Sequence, residues 1–460
     1  MRVAFLGAQF GDEGKGKVVD YYANQANMIV RFQGGANAGH TIYKDGVKYV
    51  FHSLPVGALH GHTVNVIGPG CAIDIIALRE EIIQARMLGL GIYPSNLSIS
   101  PRATIVLPMY ISRDIEEEDK NQNRIGTTRK GIGPTYEARA ARTAFQMVEI
   151  LNPLKLFAKY RELAAEIFAH DDDEASLKRD VFNKKNELIE ACEFLWGFLQ
   201  DVGTLITTAV EDDSVVLYEG AQGALLDNQH GDYPFVTSSN TVSSAVCLGA
   251  GVPPYCLDTS IGIAKAYITR VGKGPFPTLM GEDVHEVIQE AGGEWGATTG
   301  RPRKCGWLDL VALKYAVKIN DFEGLVVTKV DVLDTLDEIR VCTEYSNPTS
   351  DLVGLKKVKS IEMGYPLLTE GLLPVYKTFP GWLSPTRGLQ DIRNLPLKLR
   401  EYLEFIESFV EVPIVGISTG PERSSFIERR ALFSPFPLVT QLERCTADLA
   451  SRDNFSKELL

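Results

Sequence analysis

The sequence contains no pair of cysteines at the Cys-x-x-Cys spacing and no His-Glu-x-x-His pattern. Its seven cysteines are scattered along the chain, which predicts reduced thiols and argues against a disulfide framework or a zinc site. No apolar run approaches the roughly 18 residues that span a bilayer. No basic and apolar leader precedes the first predicted strand. We therefore expect a soluble, cytoplasmic protein without a membrane partner.

Positive charge is also scarce. The 460 residues include 47 Lys and Arg against 59 Asp and Glu, a formal net charge of −12 at pH 7. This balance argues against a broad basic surface for nucleic acid. Hydrophobic residues make up 45% and charged residues 23% of the chain, values that exclude disorder and a coiled coil. A small anionic ligand stays compatible with this charge, because a basic pocket can lie within an acidic protein.

Short β-branched runs alternate with helical stretches, which predicts an α/β fold with a large, mostly parallel central sheet flanked by helices. The predicted strands are Val3–Leu6, Met28–Phe32, Val64–Ile67, Val215–Tyr218, Gly324–Lys329 and Pro413–Ile417. The predicted helices are Ile73–Met87, Pro153–Ala169, Ala175–Leu205, Leu308–Ile319 and Leu397–Val410. Residues 145–212 are rich in Lys, Glu and Leu and poor in glycine, so we interpret them as a helical insertion outside the sheet.

The first glycine cluster follows the first predicted strand. Residues Gly11 to Lys17 have the Gly-x-x-x-x-Gly-Lys spacing of a phosphate-binding loop, whose backbone N–H groups hold phosphate at a helix N-terminus. The Ser or Thr that would follow and bind magnesium is replaced by Val18. Asp12 and Glu13 are the candidate replacements, because magnesium prefers hard oxygen ligands. On spacing alone, a strand–helix turn with solvated charges explains the cluster equally well.

A second cluster, Gln33–Thr41, follows the second predicted strand. Its three glycines allow a backbone to approach a ligand closely, and His40 at its end can donate a proton or a hydrogen bond. The carboxyl ends of strands in α/β sheets are where ligands bind, which favours a functional role. A histidine after a glycine turn can equally be structural.

Two further clusters are basic. Ile125–Pro134 mixes hydroxyls, glycines and cations, a combination that suits a phosphate. Gly296–Gly306 carries Arg301 and Arg303, each of which can grip a carboxylate or phosphate with two hydrogen bonds. Either cluster alone could be an exposed basic loop. Together with the phosphate loop, they indicate a nucleotide-dependent enzyme with more than one anionic ligand.

Two strand ends complete the pattern. Thr328–Asp331 offers Lys329 to cover a purine face and Asp331 to accept hydrogen bonds from N1–H and the 2-amino group of guanine. Tyr218–Gly223 directs Gln222 toward the same edge of the sheet. Both could also be plain turns.

A series of short motifs, in this order, resembles the adenylosuccinate synthase family over about residues 2 to 430. They are Gly11–Lys17, Asn37–Thr41, Gly131–Pro134, Glu219–Gly223, Val236–Asn240, Arg270–Gly272, Gly296–Gly306, Thr328–Asp331 and Ser418–Pro421. The resemblance implies that family's P-loop-NTPase-like α/β fold with a helical insertion. Residues 1–430 would form a single domain, and residues 431–460 would be a C-terminal extension of unknown role.

The resemblance also implies a two-step ligation, the first committed step of AMP synthesis. GTP would phosphorylate the 6-oxygen of IMP, and the amine of L-aspartate would then displace phosphate to give adenylosuccinate. The implied catalytic residues are Asp12, His40, Lys15 and Gln222. Asp12 would take the N1 proton of IMP and, with the carbonyl of Gly39, bind one Mg²⁺ per subunit. His40 and Lys15 would stabilise the transferring phosphoryl group.

The resemblance further implies three sets of binding residues. GTP would contact Gly11, Asp12, Glu13, Gly14, Lys15, Gly16, Lys17, Gly39, His40, Thr41, Arg303, Lys329, Val330, Asp331, Ser418, Thr419 and Gly420. L-Aspartate would contact Ala297, Thr298, Thr299, Gly300, Arg301, Pro302 and Arg303. IMP would contact Asp12, Glu13, Gly14, Lys15, Asn37, Ala38, Gly39, His40, Thr128, Gln222, Thr237 and Arg301, with Arg142 reaching in from the neighbouring subunit of a homodimer.

Two alternatives stay open. One is a related synthase that acts on dGMP; in that variant the loop aspartate gives way to another residue, so the presence of Asp12 favours the IMP ligase. The other is a GTP-binding switch without ligase activity. A switch needs one nucleotide pocket and mobile loops, and it would not need Thr128, Gln222, Arg301 and Arg303 as a second anion site.

Overall fold

The computed structural model describes residues 1–44, 46–120, 125–167, 183–296, 300–346, 357–358 and 373–433. In this part of the chain, the central sheet has nine strands, β1 to β9 in chain order. They span Arg2–Gly7, Met28–Arg31, Val64–Ile67, Leu97–Ile99, Val216–Glu219, Thr259–Lys265, Phe322–Thr328, Ile414–Ser418 and Phe426–Glu428. Their order across the sheet is β9-β8-β7-β6-β1-β5-β2-β3-β4, and every pair is parallel except β8 with β9. The predicted α/β class is confirmed.

The apolar runs of the strands reflect burial on both faces of the sheet. In β1, the side chains of Val3 and Phe5 enter the core on one face, and those of Ala4 and Leu6 enter the core on the other. All four are fully buried. The alternation of side chains along a strand therefore gives the protein two apolar layers, one on each side of the sheet.

Helices cover both layers. In chain order, α1 to α11 of the described residues span Lys15–Ala23, Ile75–Met87, Pro108–Lys120, Ile132–Ala141, Pro153–Ile167, Lys185–Leu195, Val202–Glu211, Ala245–Ala250, Glu282–Gly292, Leu310–Asn320 and Leu397–Val410. Aspartates start three of them: the carboxylates of Asp74, Asp201 and Asp309 accept hydrogen bonds from backbone N–H groups in the first turns of α2, α7 and α10.

Shorter elements connect these layers. The 3-10 turns span Val56–Leu59, Met147–Leu151, Trp196–Phe198, Ala224–Leu226, Pro254–Cys256, Val330–Leu333 and Ile392–Asn394. The small sheets use Gly34–Gly35, His40–Lys44, Val47–Phe51, Cys71–Ile73, Thr104–Ile105, Ile268–Arg270, Lys304–Gly306, Leu308–Asp309, Glu338–Ser346, Lys357–Val358 and Leu373–Pro380. None of the described helices is both long enough and apolar enough to cross a membrane.

The six predicted strands are present, with ends shifted by at most two residues, and α11 has the predicted bounds. The predicted helix Ala175–Leu205 is wrong as a single element. In its described part, α6 ends at Leu195 and a 3-10 turn follows. The backbone is extended at Leu199, and Asp201 then caps α7. An aspartate before an apolar helical run is itself a start signal, and it places the break. Residues 175–182, and the end of the predicted helix 153–169, lie outside the described residues.

The segment 145–212 contains two kinds of helix. The first helices, α5 and α6, pack on each other, and α6 also packs on α2. By contrast, α7 packs on the sheet, because its Val202, Ile206 and Val210 are buried in the same layer as the side chains of β5. The helix that leads into β5 is therefore a crossover helix of the sheet itself. The predicted helical insertion outside the sheet would therefore end before α7, and not at residue 212.

The eight parallel strands, β1 to β8, place the loops that follow them at one edge of the sheet, because the carboxyl ends of parallel strands meet there. The loops after β1, β2, β5, β7 and β8 contain the glycine cluster of the phosphate loop, the cluster ending in His40, Gln222, Asp331 and Gly420. The loop after β6 lies beside that of β1. This edge is where the predicted site residues should converge.

Candidate active site

Glu13 holds the phosphate loop in shape. Its side chain is fully buried, and one carboxylate oxygen accepts hydrogen bonds from the backbone N–H groups of Gln9 and Gly11 at 3.1 and 2.8 Å. The other oxygen accepts from Nζ of Lys15 at 2.5 Å. Since both oxygens are already engaged inside the loop, Glu13 does not have the free carboxylate of a magnesium ligand. The expectation that Glu13 could replace the missing hydroxyl as a magnesium ligand does not agree with these bonds.

Asp12 presents the accessible carboxylate of this loop. Its backbone has φ 60°, in the left-handed region that aspartate tolerates, and its side chain is 31% exposed. Gly14, with φ 85°, turns the chain into α1, so Asp12 lies just before a helix N-terminus. The carboxylate forms an ion pair with Arg303, whose Nε lies 2.9 Å from Oδ2 of Asp12. One contact thus joins the phosphate loop to the basic loop of Gly296–Gly306.

The loop after β5 packs tightly on the phosphate loop. A Cβ added to Gly223 would lie 2.4 Å from the carbonyl oxygen of Gln9, so a larger residue cannot be accommodated. The preceding residue, Gln222, adopts φ 54°, and its Oε1 atom is buried without a hydrogen-bond partner in the described part of the chain. A buried acceptor in this position is available for a ligand. It lies beside Gly34, three residues after the end of β2.

His40 is buried and its Nδ1 hydrogen-bonds the carboxylate of Glu219, the last residue of β5. The second carboxylate oxygen of Glu219 accepts from the N–H of Val56 at 2.8 Å, and Nη1 of Arg31 lies 3.8 Å from the carboxylate. Burial lowers the pKa of His40 and outweighs the attraction of Glu219. Burial opposes ionisation of Glu219, yet the neighbouring ring and guanidinium bring the pKa of its carboxyl below the ordinary value. The sequence motifs predicted no role for Glu219.

Lys17, the lysine of the Gly-x-x-x-x-Gly-Lys spacing, is bonded to the loop after β8. Its Nζ donates to Oγ of Ser418 at 2.7 Å and to the carbonyl oxygens of Gly420 and Ser425 at 2.5 and 2.7 Å. Burial lowers its pKa to about 7. The side chain therefore fixes the loop after β8 against α1. The ammonium is already bonded to three oxygens here, and its predicted contact with GTP stays a prediction.

The loop after β7 offers an unpartnered acceptor. In the described residues, Oδ1 of Asp331 is buried without a hydrogen bond, and burial raises the pKa of this carboxyl. Nearby, Nζ of Lys329 donates to the carbonyl of Gly292 and to Oε1 of Glu294, both at 2.7 Å. Oγ1 of Thr328 donates to the carbonyl of Glu13 at 2.7 Å. The predicted base pocket and the phosphate loop are thus directly joined.

The two basic clusters adjoin. Nη2 of Arg301 donates to the carbonyl of Gly126 at 3.0 Å, and Nη1 of Arg303 donates to Glu294 at 2.6 Å. Thr128 is half-buried. The arrangement brings the cations of Gly296–Gly306 to the glycine loop before α4. The predicted residues Ala297, Thr298 and Thr299 lie outside the described residues.

The other predicted residues occupy the same edge or its surroundings. Nδ2 of Asn37 lies 3.4 Å from Oγ1 of Thr237, joining two predicted IMP contacts. Arg142 is exposed at the end of α4, with φ 66°. Among the rest, Gly16, Ala38, Val330 and Thr419 are buried, Gly39 and Thr41 are half-buried, and Gly300 and Pro302 are exposed.

The fold and this edge define a class: a nucleotide-dependent α/β enzyme. Its central strand leads into a loop with phosphate-loop spacing, Oδ1 of Asp331 is buried without a partner in the described residues, and two cationic loops adjoin. The sequence profile of the adenylosuccinate synthetase family matches residues 4–427. The chain belongs to the adenylosuccinate synthetase family.

Individual relatives agree. The chain is 41% identical over 433 residues to the adenylosuccinate synthetase of Thermodesulfovibrio yellowstonii, covering 92% of this chain and 98% of that protein. It is 40% identical over 437 residues to that of Buchnera aphidicola, covering 94% and 99%. A fully ligated adenylosuccinate synthetase structure from Plasmodium falciparum superposes with a TM-score of 0.83 at 35% identity, covering 93% and 100%.

A more distant structure, the succinoaminodeoxyadenylate synthetase of cyanophage S-2L bound to dGMP and dATP, shares the fold at TM-score 0.57 and 17% identity, covering 93% and 95%. The family assignment predicted from the motifs is confirmed. The protein is an adenylosuccinate synthetase by activity, a GTP-binding ligase of purine biosynthesis.

Proposed function

We propose that this ligase joins IMP and L-aspartate at the described edge of the sheet and consumes GTP through a 6-phosphoryl-IMP intermediate. The observation that carries the proposal is the position of Asp12. Its accessible carboxylate belongs to the phosphate loop and contacts Arg303 of the predicted aspartate loop at 2.9 Å. One group is therefore within reach of the phosphoryl donor and of the amino-acid site.

In the first step, Asp12 accepts the N1 proton of IMP, and the electron pair left on the ring makes the 6-oxygen a nucleophile for the γ-phosphorus of GTP. The bond from the γ-phosphorus to the bridging oxygen breaks and GDP leaves. In the second step, the amine of aspartate attacks C6, the C6–O bond breaks to release phosphate, and the proton that the amine loses passes to the departing phosphate. The buried acceptor of Gln222 is available to hold IMP during both steps.

His40 and Lys15 assist the transfer by charge. For His40 to donate from Nε2 while Nδ1 stays bonded to Glu219, the ring must carry both protons. Burial lowers its pKa in the protein alone, and an adjacent phosphoryl group would raise it again, since an opposite charge favours the cation. Glu219 keeps the ring oriented. Lys15, tied to Glu13, lies at the first residue of α1.

We propose that Mg²⁺ is held by the carboxylate of Asp12 and the carbonyl of Gly39. The described residues contain no group of three or more His, Cys, Asp or Glu side chains that could hold a metal ion. One carboxylate and one carbonyl fit magnesium, which fills its remaining positions with phosphate oxygens and water. When bound, the ion would neutralise charge on the phosphates.

The two alternatives are less well supported. The likeness to the dGMP-bound phage enzyme concerns the fold alone at 17% identity. A switch without ligase activity does not agree with membership of a ligase family. It also leaves the cationic loop of Arg301 and Arg303 without a ligand.

The test is phosphate release with GTP, IMP and L-aspartate, repeated with each omitted and with ATP or dGMP substituted. We expect release that requires all three substrates. Release with dGMP in place of IMP would favour the phage-like synthase. Release from GTP alone, indifferent to IMP and aspartate, would contradict ligation and indicate a GTPase.

We also propose a homodimer in which Arg142 completes the neighbouring subunit's IMP site. The support is its placement: the guanidinium is exposed, and the left-handed backbone at φ 66° projects it from the end of α4. An exposed arginine held by a helix end is suited to reach a phosphate on another chain.

An Arg142→Leu variant is expected to raise the KM for IMP by about 10- to 100-fold, the loss of one charge-assisted contact, with the affinity for GTP nearly unchanged. Steady-state kinetics and direct nucleotide binding measure both. Arg393→Leu is the control, because Arg393 is exposed and pairs with Asp391 near the start of α11. An unchanged affinity for IMP would remove Arg142 from the site.

Mixing separates a contact in trans from one in cis. Arg142→Leu and Asp12→Ala subunits are each expected to be inactive at low IMP. In a random mixture, half of the dimers are hybrids and one of their two sites has both residues, so about a quarter of the normal activity should return. No recovery would mean that Arg142 acts within its own subunit.

Residues 1–430 are proposed as one domain. The beginning of the segment after 430 packs on that domain: Leu432 is 1% exposed, and the ring of Phe433 lies 5.7 Å from that of Tyr22 in α1. Residues 434–460 lie outside the described residues. The cytoplasmic location stays a prediction.

A further inference from the structure

The carboxylate of Glu294 is bonded to three cationic side chains at this edge of the sheet. Its side chain is fully buried at the start of the segment that contains the predicted aspartate loop. Oε1 accepts from Nζ of Lys329 at 2.7 Å and Oε2 accepts from Nη1 of Arg303 at 2.6 Å. Nζ of Lys265, itself fully buried, lies 2.9 Å from both oxygens, and the hydroxyl of Tyr267 donates at 2.5 Å. No residue of this set except Arg303 and Lys329 was singled out from the sequence.

The charges of this cluster explain why the carboxylate stays ionised. Burial opposes the charge, but Lys265, Lys329 and Arg303 together outweigh it and hold the pKa of Glu294 far below its ordinary value. Two of these cations also contact other groups: Lys329 donates to the carbonyl of Gly292, and Nε of Arg303 lies 2.9 Å from the carboxylate of Asp12. The third, Lys265, donates also to Oγ1 of Thr269 and anchors the carboxylate to the end of β6. Lys265 thus anchors the carboxylate of Glu294, while Lys329 and Arg303 connect it to other parts of this edge.

The backbone of Glu294 fixes the same loop. Its carbonyl accepts from the N–H of Arg303 at 2.9 Å, and the N–H of Gly296 donates to the carbonyl of Arg301 at 2.8 Å. These bonds close the base of the loop between Glu294 and Arg303. A movement of Lys329 toward a bound base would change the charge felt by Glu294, and with it the orientation of the guanidinium that faces Asp12. The side chains of Lys329 and Arg303 are thus bonded to the same buried carboxylate.

We infer that Glu294 is a positioning residue that couples the guanine pocket to the aspartate site: it holds Lys329 and Arg303 at once, so that occupation of the base pocket tightens the binding of aspartate. The inference rests on the proposed roles of Lys329 toward guanine and Arg303 toward aspartate. Coupling between two sites is reciprocal and is measured as a ratio of affinities, typically about 5- to 150-fold.

The test titrates L-aspartate into the complete protein with IMP, with and without saturating GDP. GDP has no transferable γ-phosphoryl group, so no reaction occurs. In the unmodified protein we expect GDP to lower the Kd of aspartate at least about fivefold. In Glu294→Gln the ratio should fall below about twofold, because the amide cannot hold two cations. Glu290→Gln, an exposed change on α9, should keep the full ratio.

A second variant guards against misfolding. If Glu294→Gln unfolds, Lys329→Met cuts the link at its half-buried end, and it should abolish the ratio at saturating GDP. A ratio that survives in both variants, or no effect of GDP in the unmodified protein, overturns the coupling. Failure of the site assignment looks different: Arg303→Leu would then leave the affinity for aspartate unchanged even without GDP.

Discussion

An Asp12→Asn variant is expected to lose turnover by about 10³- to 10⁴-fold, the upper range for a general base, while it keeps its fold. The amide cannot take the N1 proton of IMP, and it is a poorer ligand for a hard cation. Asparagine tolerates the left-handed backbone at φ 60°, so the loop should keep its path. Asp12→Ala removes the carboxylate altogether and should be at least as damaging.

The measurement is single-turnover phosphate release with saturating GTP, IMP and aspartate. Asp321→Asn is the matched control, since Asp321 is also an aspartate with positive φ, 48°, exposed at the end of α10. That variant should keep normal rates. Thermal unfolding of both variants near the normal temperature would show that the loop is intact. Near-normal turnover in Asp12→Asn would remove the residue from catalysis.

The sequence predicts the parts of this site that are formed by residues close together along the chain. The glycine cluster of the phosphate loop, the turn ending in His40 and the turn with Asp331 each follow a strand whose apolar run is recognisable, and the predicted strand bounds are close to those of the structure. The helix Leu397–Val410 was predicted correctly because its apolar residues recur at helical spacing and Pro396 precedes it.

The sequence does not predict which residues from distant parts of the chain contact each other. Glu219 reaches His40 from 179 positions away, and Lys17 is bound by residues about 400 positions along the chain. The Gly-x-x-x-x-Gly-Lys spacing predicts a phosphate contact for Lys17. That local pattern carries no information on the loop after β8, so it could not predict the bonds that Lys17 makes there. Such pairings depend on the order of strands across the sheet, and that order is a tertiary property.

The strand β6 was missed for a different reason. Its sequence mixes Thr, Ser, Gly, Ala and Lys among two isoleucines, a weak strand pattern. Yet it lies beside β1 at the centre of the sheet. Gly262 within it is required by packing, since an added Cβ would lie 2.6 Å from the ring of Phe322. Close packing selects small residues here, and small residues hide the strand from a periodicity argument.

An Asp331→Asn variant is expected to exchange the nucleotide preference of the enzyme from GTP to XTP. In the described residues, Oδ1 of Asp331 is buried and unpartnered, so it has acceptor capacity for the N1–H and 2-amino donors of guanine. Asparagine has the same shape but offers one acceptor and one donor. Xanthine presents N1–H beside a carbonyl at position 2, which fits that pair. With GTP, the amide N–H₂ of the asparagine would face the 2-amino group of guanine, and two donors cannot hydrogen-bond each other.

The expected size follows from the cost of leaving a polar pair unsatisfied in a site built to bond it. We expect kcat/KM for GTP to fall by about 10²- to 10³-fold and that for XTP to rise by a comparable factor, with the KM values of IMP and aspartate unchanged. Asp337→Asn, an exposed change a few residues along, is the control. Loss of activity with every nucleotide would mean that Asp331 supports the loop and does not read the base. An unchanged preference for GTP would place the base elsewhere.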